Sequence, residues 1–266
     1  MSAQAVLSDI ADGIMTITLN RPEAANAVRP EDRDALIALL AAADGDENVR
    51  VVVLRANGKH FCSGADVASL AERRAKGEKR VMEPTRRIMN GAQRLVAGVL
   101  DCNKPVIAVV HGAATGLGAH VAYASDLVIA TENAYFAESF VKRGLVVDGG
   151  GCYLLPRRIG MQKAKEMAFF GEKLSATEAL TLGLVNRVVS VSDLDATVAD
   201  FAGRLAGAPT SAIAFTKRLL NDSPDTDRSG AFVAEAMSQE IQSYAHDSTE
   251  GVRAFMEKRP TEFTGW

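Results

Sequence analysis

Phe61-Cys62-Ser63-Gly64-Ala65-Asp66-Val67 and His111-Gly112-Ala113-Ala114-Thr115-Gly116-Leu117-Gly118 are the two stretches on which the reading of this chain turns. Each is a small-residue turn that follows a strongly apolar run, Arg50–Arg55 in the first case and Val106–Val110 in the second. Gly64 and Gly116 admit close approaches that side chains forbid. A strand that ends in a glycine turn and then starts a helix leaves free N–H groups pointing outward. The helix dipole adds partial positive charge there. The pair predicts two main-chain donors aimed at one oxygen, an arrangement that stabilises an enolate or oxyanion formed from a carbonyl compound. Taken singly, either stretch reads as an ordinary glycine turn; it is the pair that points to a site.

Outward from these turns, strands alternate with helices. Ile14–Leu19 alternates apolar and polar residues as a half-buried strand does, and it stops at Asn20-Arg21-Pro22. Glu31–Ala43 has helical spacing and an acidic start. Val51–Leu54, Val106–Val110 and Leu127–Ala130 are continuous apolar runs of strand length, of the kind buried on both faces of a parallel sheet. Residues 68–100 and Gly116–Ser125 read as the intervening helices, so the sheet is largely parallel with helical crossovers. Past residue 150 the strands mostly stop. Gln162–Phe170, Ala176–Leu182, Leu194–Leu205, Ser211–Leu220 and Ala231–Met256 read as helices, with one short strand at Val185–Val189. A boundary near Gly207-Ala208-Pro209 divides a core, 1–207, from a C-terminal helical region, 208–266.

Composition excludes several classes. The chain has 266 residues, enough for one large domain or a domain with a small appendage. A net charge of −3 argues against a nucleic-acid partner. Cys62, Cys102 and Cys152 lack C-x-x-C spacing, which fits a reducing compartment better than disulfides or zinc. His60, His111, His120 and His246 lack ligand spacing, so no metal site is expected. No signal-peptide pattern opens the sequence and no stretch is apolar for the ~18 residues of a membrane span. The expected location is cytoplasmic, with no membrane partner.

Leu19–Ala27, Phe61–Val67, Gly112–Asp126, Gly144–Gly150 and Phe255–Arg259 together resemble, in order and with the expected gaps, the successive signatures of the enoyl-CoA hydratase/isomerase (crotonase) superfamily. The resemblance implies an α/β fold, a spiral of ββα turns with a C-terminal helical trimerisation region. It implies a coenzyme A thioester substrate, no separate cofactor, and a homotrimer or dimer of trimers. It also implies that the oxyanion donors are the N–H groups of Ala65 and Leu117. Arg21, Ala25 and Lys59 are the expected coenzyme contacts, with Phe255 and Lys258 reaching the coenzyme of a neighbouring subunit.

Departures from the pattern shape the expected chemistry. Hydratases of this family use two glutamates; those positions hold His120 and Phe140 here. Phe140 cannot transfer a proton. His120 follows Leu117 by one helical turn and can act as acid or base near neutrality, or be a hydrogen-bonded pocket histidine. Asp148 resembles the single aspartate of members that shift double bonds, and apolar neighbours would raise its pKa. It also suits an N-cap for the helix containing Tyr153, at a strand-to-helix turn. Asp66 reads as a brace for the first turn. The basic run Arg73–Arg80, with Arg86 and Arg87 after it, reads as a solvated helix or a surface attracting a nucleotide phosphate. The expected reaction is an isomerase-type double-bond shift with Asp148 as acid/base. The alternatives are hydration through His120 or Glu138, aspartate-dependent hydrolysis or dehalogenation, and non-catalytic acyl-CoA binding.

Overall fold

The computed structural model describes residues 4–66 and 81–266. Val67, the basic run Arg73–Arg80 and the first part of the helix expected over 68–100 lie outside the described residues. The main sheet has the order β1 (Val6–Ala11), β2 (Ile14–Leu19), β3 (Val51–Ala56), β4 (Val106–Val110), β6 (Leu127–Thr131), β9 (Arg187–Val189). β1 and β2 form an antiparallel hairpin, and every later pair is parallel. A smaller sheet joins β5 (Ala113–Thr115), β7 (Tyr135–Ala137) and β8 (Lys173–Ser175).

Period-two geometry sends alternate residues of the main sheet into two separate cores. Val52, Leu54, Val106, Ala108 and Val110 pack with Leu36 and Leu40 of α1 (Pro30–Gly45) and with Leu95 and Val99 of α3 (Arg94–Asp101). Val51, Val53, Ile107, Val109 and Ile129 pack on the opposite side against Leu194, Val198 and Ala202 of α8 (Leu194–Ala206). Both faces are covered, which is why these strands are unbroken apolar runs.

The spiral repeats a main-sheet strand, a short extended segment of the second layer and then helix, over β3, β4 and β6. β3 runs on into Phe61–Ala65, which pairs with β5 through Cys62 and Ala114 and with Val28 through Ala65. Next come α2 (Glu83–Ile88), a π-helical turn (Met89–Gln93) and α3. The second turn is β4, β5 and α4 (Leu117–Ala124); the third is β6 and β7, leading to α5 (Gly151–Ile159) and α6 (Met161–Phe170). α7 (Ala176–Thr181) follows β8 and opens on a capping box, in which the Ser175 hydroxyl accepts from the Glu178 N–H.

The C-terminal helices are α9 (Thr210–Asp222), α10 (Arg228–Ser243) and α11 (His246–Glu257). The single helix expected over 231–256 is two, parted at Tyr244-Ala245, where Ala245 adopts an extended conformation. Lys217 of α9 docks this region on the core. Its ammonium sits 2.8 Å from Asp126 and donates to the carbonyls of Val99 (3.1 Å) and Lys104 (3.2 Å). Arg50 does the same from the other side, donating to Thr210 Oγ1 and to the carbonyls of Ala208 and Phe263. Neither β1 nor the three-residue strands of the second sheet are among the elements expected from the sequence pattern.

Candidate active site

The two glycine turns meet. Segment 61–65 is stitched to β5 by Cys62 N–H to Ala113 O (2.9 Å) and Thr115 N–H to Cys62 O (2.9 Å). Thr115 Oγ1 donates to the Ser63 carbonyl at 2.8 Å. Gly64 has φ +106°, and a Cβ there would lie 2.9 Å from Thr115 O and 3.7 Å from Leu117 N. A Cβ on Gly118 would lie 2.5 Å from the Cys62 carbonyl oxygen, so α4 starts in direct contact with the first turn. Only residues without side chains permit that approach.

Fold geometry leaves the Ala65 and Leu117 N–H groups without acceptors among the described residues at this junction. Val28 pairs with Gly64 O (2.8 Å) and accepts from Asp66 N–H (3.0 Å), which turns the Ala65 N–H to the other edge. Leu117 is the first residue of α4, so its N–H has no intrahelical acceptor. The preceding Gly116 N–H is used by Ala137 O at 3.0 Å. Among the described residues, neither the Ala65 N–H nor the Leu117 N–H has an acceptor. Both residues line one cleft of about 230 Å³, together with Ala92, Phe140, Leu145 and Asp148.

Asp148 sits in an irregular stretch, not after a strand, and the cap of α5 is Gly150. Its carbonyl accepts from Gly151 N–H (3.0 Å). Its carboxylate caps nothing and has no partner among the described residues, which corrects the N-cap alternative. Burial raises its pKa above the usual carboxylate value; His120 opposes that shift and Glu138 adds to it. The other carboxylate on the cleft, Asp66, accepts from the Arg21 guanidinium at 3.3 and 3.4 Å. Asp66 braces the turn through its side chain.

His120 and Glu138 lie one layer behind the cleft wall. Both are 0% exposed, and His120 Nε2 is 3.0 Å from Glu138 Oε2. Phe140 stacks on the imidazole at 5.7 Å with the rings 1° from parallel, and it is Phe140 that lines the cleft. The imidazole fills the hollow under the glycines after Asp148. A Cβ on Gly149 would lie 3.2 Å from its Nδ1, and one on Gly151 2.4 Å from its Nε2. Tyr123 packs beside the pair, and burial first, then the Glu138 charge, drives its phenol pKa far up. No spacing in the sequence pairs Glu138 with His120. The one signal for this pairing is that a wholly buried carboxylate requires a partner.

The expected coenzyme contacts fall into three places. Arg21 is a brace: it donates to Ala27 O (2.7 Å) and holds Asp66 and Asp32. Ala25 has φ +50°, and its carbonyl accepts from Ser63 N–H at 3.0 Å, tying the Asn20–Ala27 turn to the first glycine turn. Lys59 is exposed, with its carbonyl against Gly112. Phe255 (82% exposed) and Lys258 stand at the end of α11 and do not line this cleft within the chain. No cluster able to hold a metal occurs among the described residues. No helix among them is long and apolar enough to cross a membrane. Burial drives the Cys62 thiol up to about 12, so it is no nucleophile at neutral pH.

Fold and cleft define a class: ββα spirals in which strand-to-helix junctions present main-chain donors beside a half-buried carboxylate. The chain belongs to the enoyl-CoA hydratase/isomerase family, whose model matches residues 9–265. It is 37% identical over 265 residues to a Rhodobacter capsulatus protein named "Probable enoyl-CoA hydratase", covering 100% of both chains. It is 34% identical to the 1,2-epoxyphenylacetyl-CoA isomerase of Escherichia coli, covering 98% of each. Among solved structures, enoyl-CoA hydratase of Mycobacterium smegmatis superposes with a TM-score of 0.90 at 34% identity, covering 98% of this chain and 99% of that one. The protein is an acyl-CoA enzyme of this family, with the crotonase-type fold.

Proposed function

We propose that the enzyme shifts a carbon–carbon double bond in an enoyl-CoA thioester, with Asp148 carrying the proton. The observation that supports this reading is the cleft's pair of carboxylates: Asp66 is committed to Arg21, and Asp148 is half-buried and unpartnered. In this scheme the thioester oxygen accepts from the Ala65 and Leu117 N–H groups. The Asp148 carboxylate takes a proton from C2 of a 3-enoyl thioester. The C–H electron pair enters a dienolate whose charge collects on the thioester oxygen, where each preorganised donor contributes about 3 kcal/mol. The protonated Asp148 then returns the proton to C4, the double bond settles between C2 and C3, and the carboxylate is regenerated. One group serves as base and then as acid.

Hydration would need a water held and activated on the cleft. The other carboxylate near Asp148, Glu138, is 0% exposed behind Phe140, which favours the isomerase reading over the hydratase one. In this proposal His120 and Glu138 are positioning residues that support the Asp148–Gly151 turn from beneath. Exposed Phe232, Val233, Met237 and Ile241 on α10 suit contact with further copies of the chain in a trimer. The test is direct: incubate the enzyme with 3-enoyl-CoA and with 2-enoyl-CoA in separate reactions and identify products by mass and chromatography. Isomer of unchanged mass is expected from the first. Rapid water addition to the second, with no isomer from the first, would replace this reading with a hydratase.

A further inference from the structure

The walls of the cleft include the start of α1, residues of the Arg87–Ala92 stretch and residues from 139–148. Four arginines line these walls: Arg29, Arg33, Arg87 and Arg143. Two are already matched with carboxylates, Arg29 with Asp32 and Arg33 with Asp34, each at 2.7 Å. Among the described residues Arg143 donates only to neutral acceptors, the Ser139 carbonyl (3.2 Å) and hydroxyl (3.0 Å). Arg87 is partly buried and has no hydrogen bond or ion pair with any described residue. Its neighbour Arg86 is exposed and lies off the cleft. The same lining carries the apolar side chains of Ile88, Ala92, Phe140 and Leu145 beside the carboxylates Asp66 and Asp148.

A cleft lined by apolar side chains and by guanidiniums without a carboxylate partner among the described residues suits an acyl chain with an anionic end. Guanidinium binds carboxylate through paired, charge-assisted hydrogen bonds that an alkyl end cannot replace. We propose that the preferred acyl group ends in a second carboxylate, received by Arg87 together with Arg143, so that the substrate is the coenzyme A monothioester of a dicarboxylic acid. The proposal rests on the same cleft as the double-bond shift, and it names the acyl class. A coenzyme phosphate is the other anion that could reach Arg87.

Binding of non-reactive thioesters separates these sources. Hexanoyl-CoA and adipoyl-CoA, and the same acyl groups on pantetheine, which lacks the nucleotide phosphates, are titrated calorimetrically into the wild type, R87Q, R87K and R143Q. Adipoyl should bind about tenfold or more tightly than hexanoyl on both carriers, from one or two charge-assisted hydrogen bonds. R87Q should erase most of that preference, R87K should restore part of it, and R143Q should reduce it. Equal or tighter binding of hexanoyl overturns the proposal. So does a preference, or an R87Q loss, seen only with the coenzyme and not with pantetheine. The matching 3-enoyl thioesters keep this test apart from the reaction. A carboxylate preference in binding with no double-bond shift on either thioester would sink the proposed reaction and leave this inference standing. Faster shift of the methyl-ended thioester would do the reverse.

Discussion

Asp148→Asn is the substitution in which activity and stability should move in opposite directions. The carboxylate has no hydrogen bond or ion pair among the described residues, so the amide breaks no contact. Shape is conserved and only the charge and the basicity are lost. Removing a general acid–base that acts in both steps costs about 10²- to 10⁴-fold in kcat, or about 2.7–5.4 kcal/mol of barrier. The stability effect follows from the pKa direction. Burial raises the folded-state pKa of Asp148 above its unfolded value. Ionised Asp148 therefore destabilises the fold, fully so above the raised pKa. As pH falls through that pKa the penalty shrinks, and below the ordinary value of 3.8 it is gone. Thermal melts at pH 8 should give the Asn variant a Tm at or above that of the wild type. The gap should narrow as the pH is lowered. Turnover of 3-enoyl-CoA by stopped assay supplies the other half. A variant within threefold of wild-type turnover, or one that melts well below wild type at pH 8, would refute the reasoning.

Other perturbations test the surroundings. Glu138→Ala leaves His120 buried without its partner and should cost about 3 kcal/mol in urea unfolding; the double variant H120L/E138M, apolar at both positions, should recover most of that loss. Gly118→Ala drives a methyl to 2.5 Å from the Cys62 carbonyl and Cβ. It should cost about 1–3 kcal/mol of stability and lower kcat, because the shift moves the Leu117 N–H. Lys217→Met strands Asp126, whose pKa burial already raises against the pull of Lys217. About 3 kcal/mol of destabilisation is expected, with earlier proteolytic cleavage between the core and α9.

The strands of the spiral were legible where both faces are buried. β3, β4 and β6 lie between two cores, so every position is apolar and the run is unmistakable. β1 escaped because its outer positions are exposed and its sequence, Val-Leu-Ser-Asp-Ile-Ala, has no clean period. β5, β7 and β8 are three residues each, too short for any pattern, and are defined by their neighbours. The break at Tyr244-Ala245 carries neither glycine nor proline. Asp148 was legible because glycines follow it. The Glu138–His120 contact was not, since it joins two successive turns of the spiral and exists only once they stack. Arg87 was read within a charged helix as surface; only the fold distinguishes it from Arg86.

The difference has a physical root in which atoms perform the work. The donors at Ala65 and Leu117 are main-chain groups, and the sequence records them as glycines and small residues, the types that let two strand-to-helix junctions touch. That record does not depend on side-chain chemistry, so it is compatible with the proposed thioester binding without specifying the reaction. In the proposed reaction the deciding groups are side chains: Phe140 on the cleft lining, Asp148 on the same cleft without a hydrogen-bond partner among the described residues, and His120 shielded from the cleft by the Phe140 ring. Replacing Phe140 alone with Glu would face Asp148 with a second carboxylate and strip the stacked cover from His120. Such a variant should lose isomerase turnover through like-charge repulsion, which raises the Asp148 pKa further and moves the acid limb of the kcat pH profile upward. An unmoved limb would mean that Asp148 does not titrate in the rate-determining step.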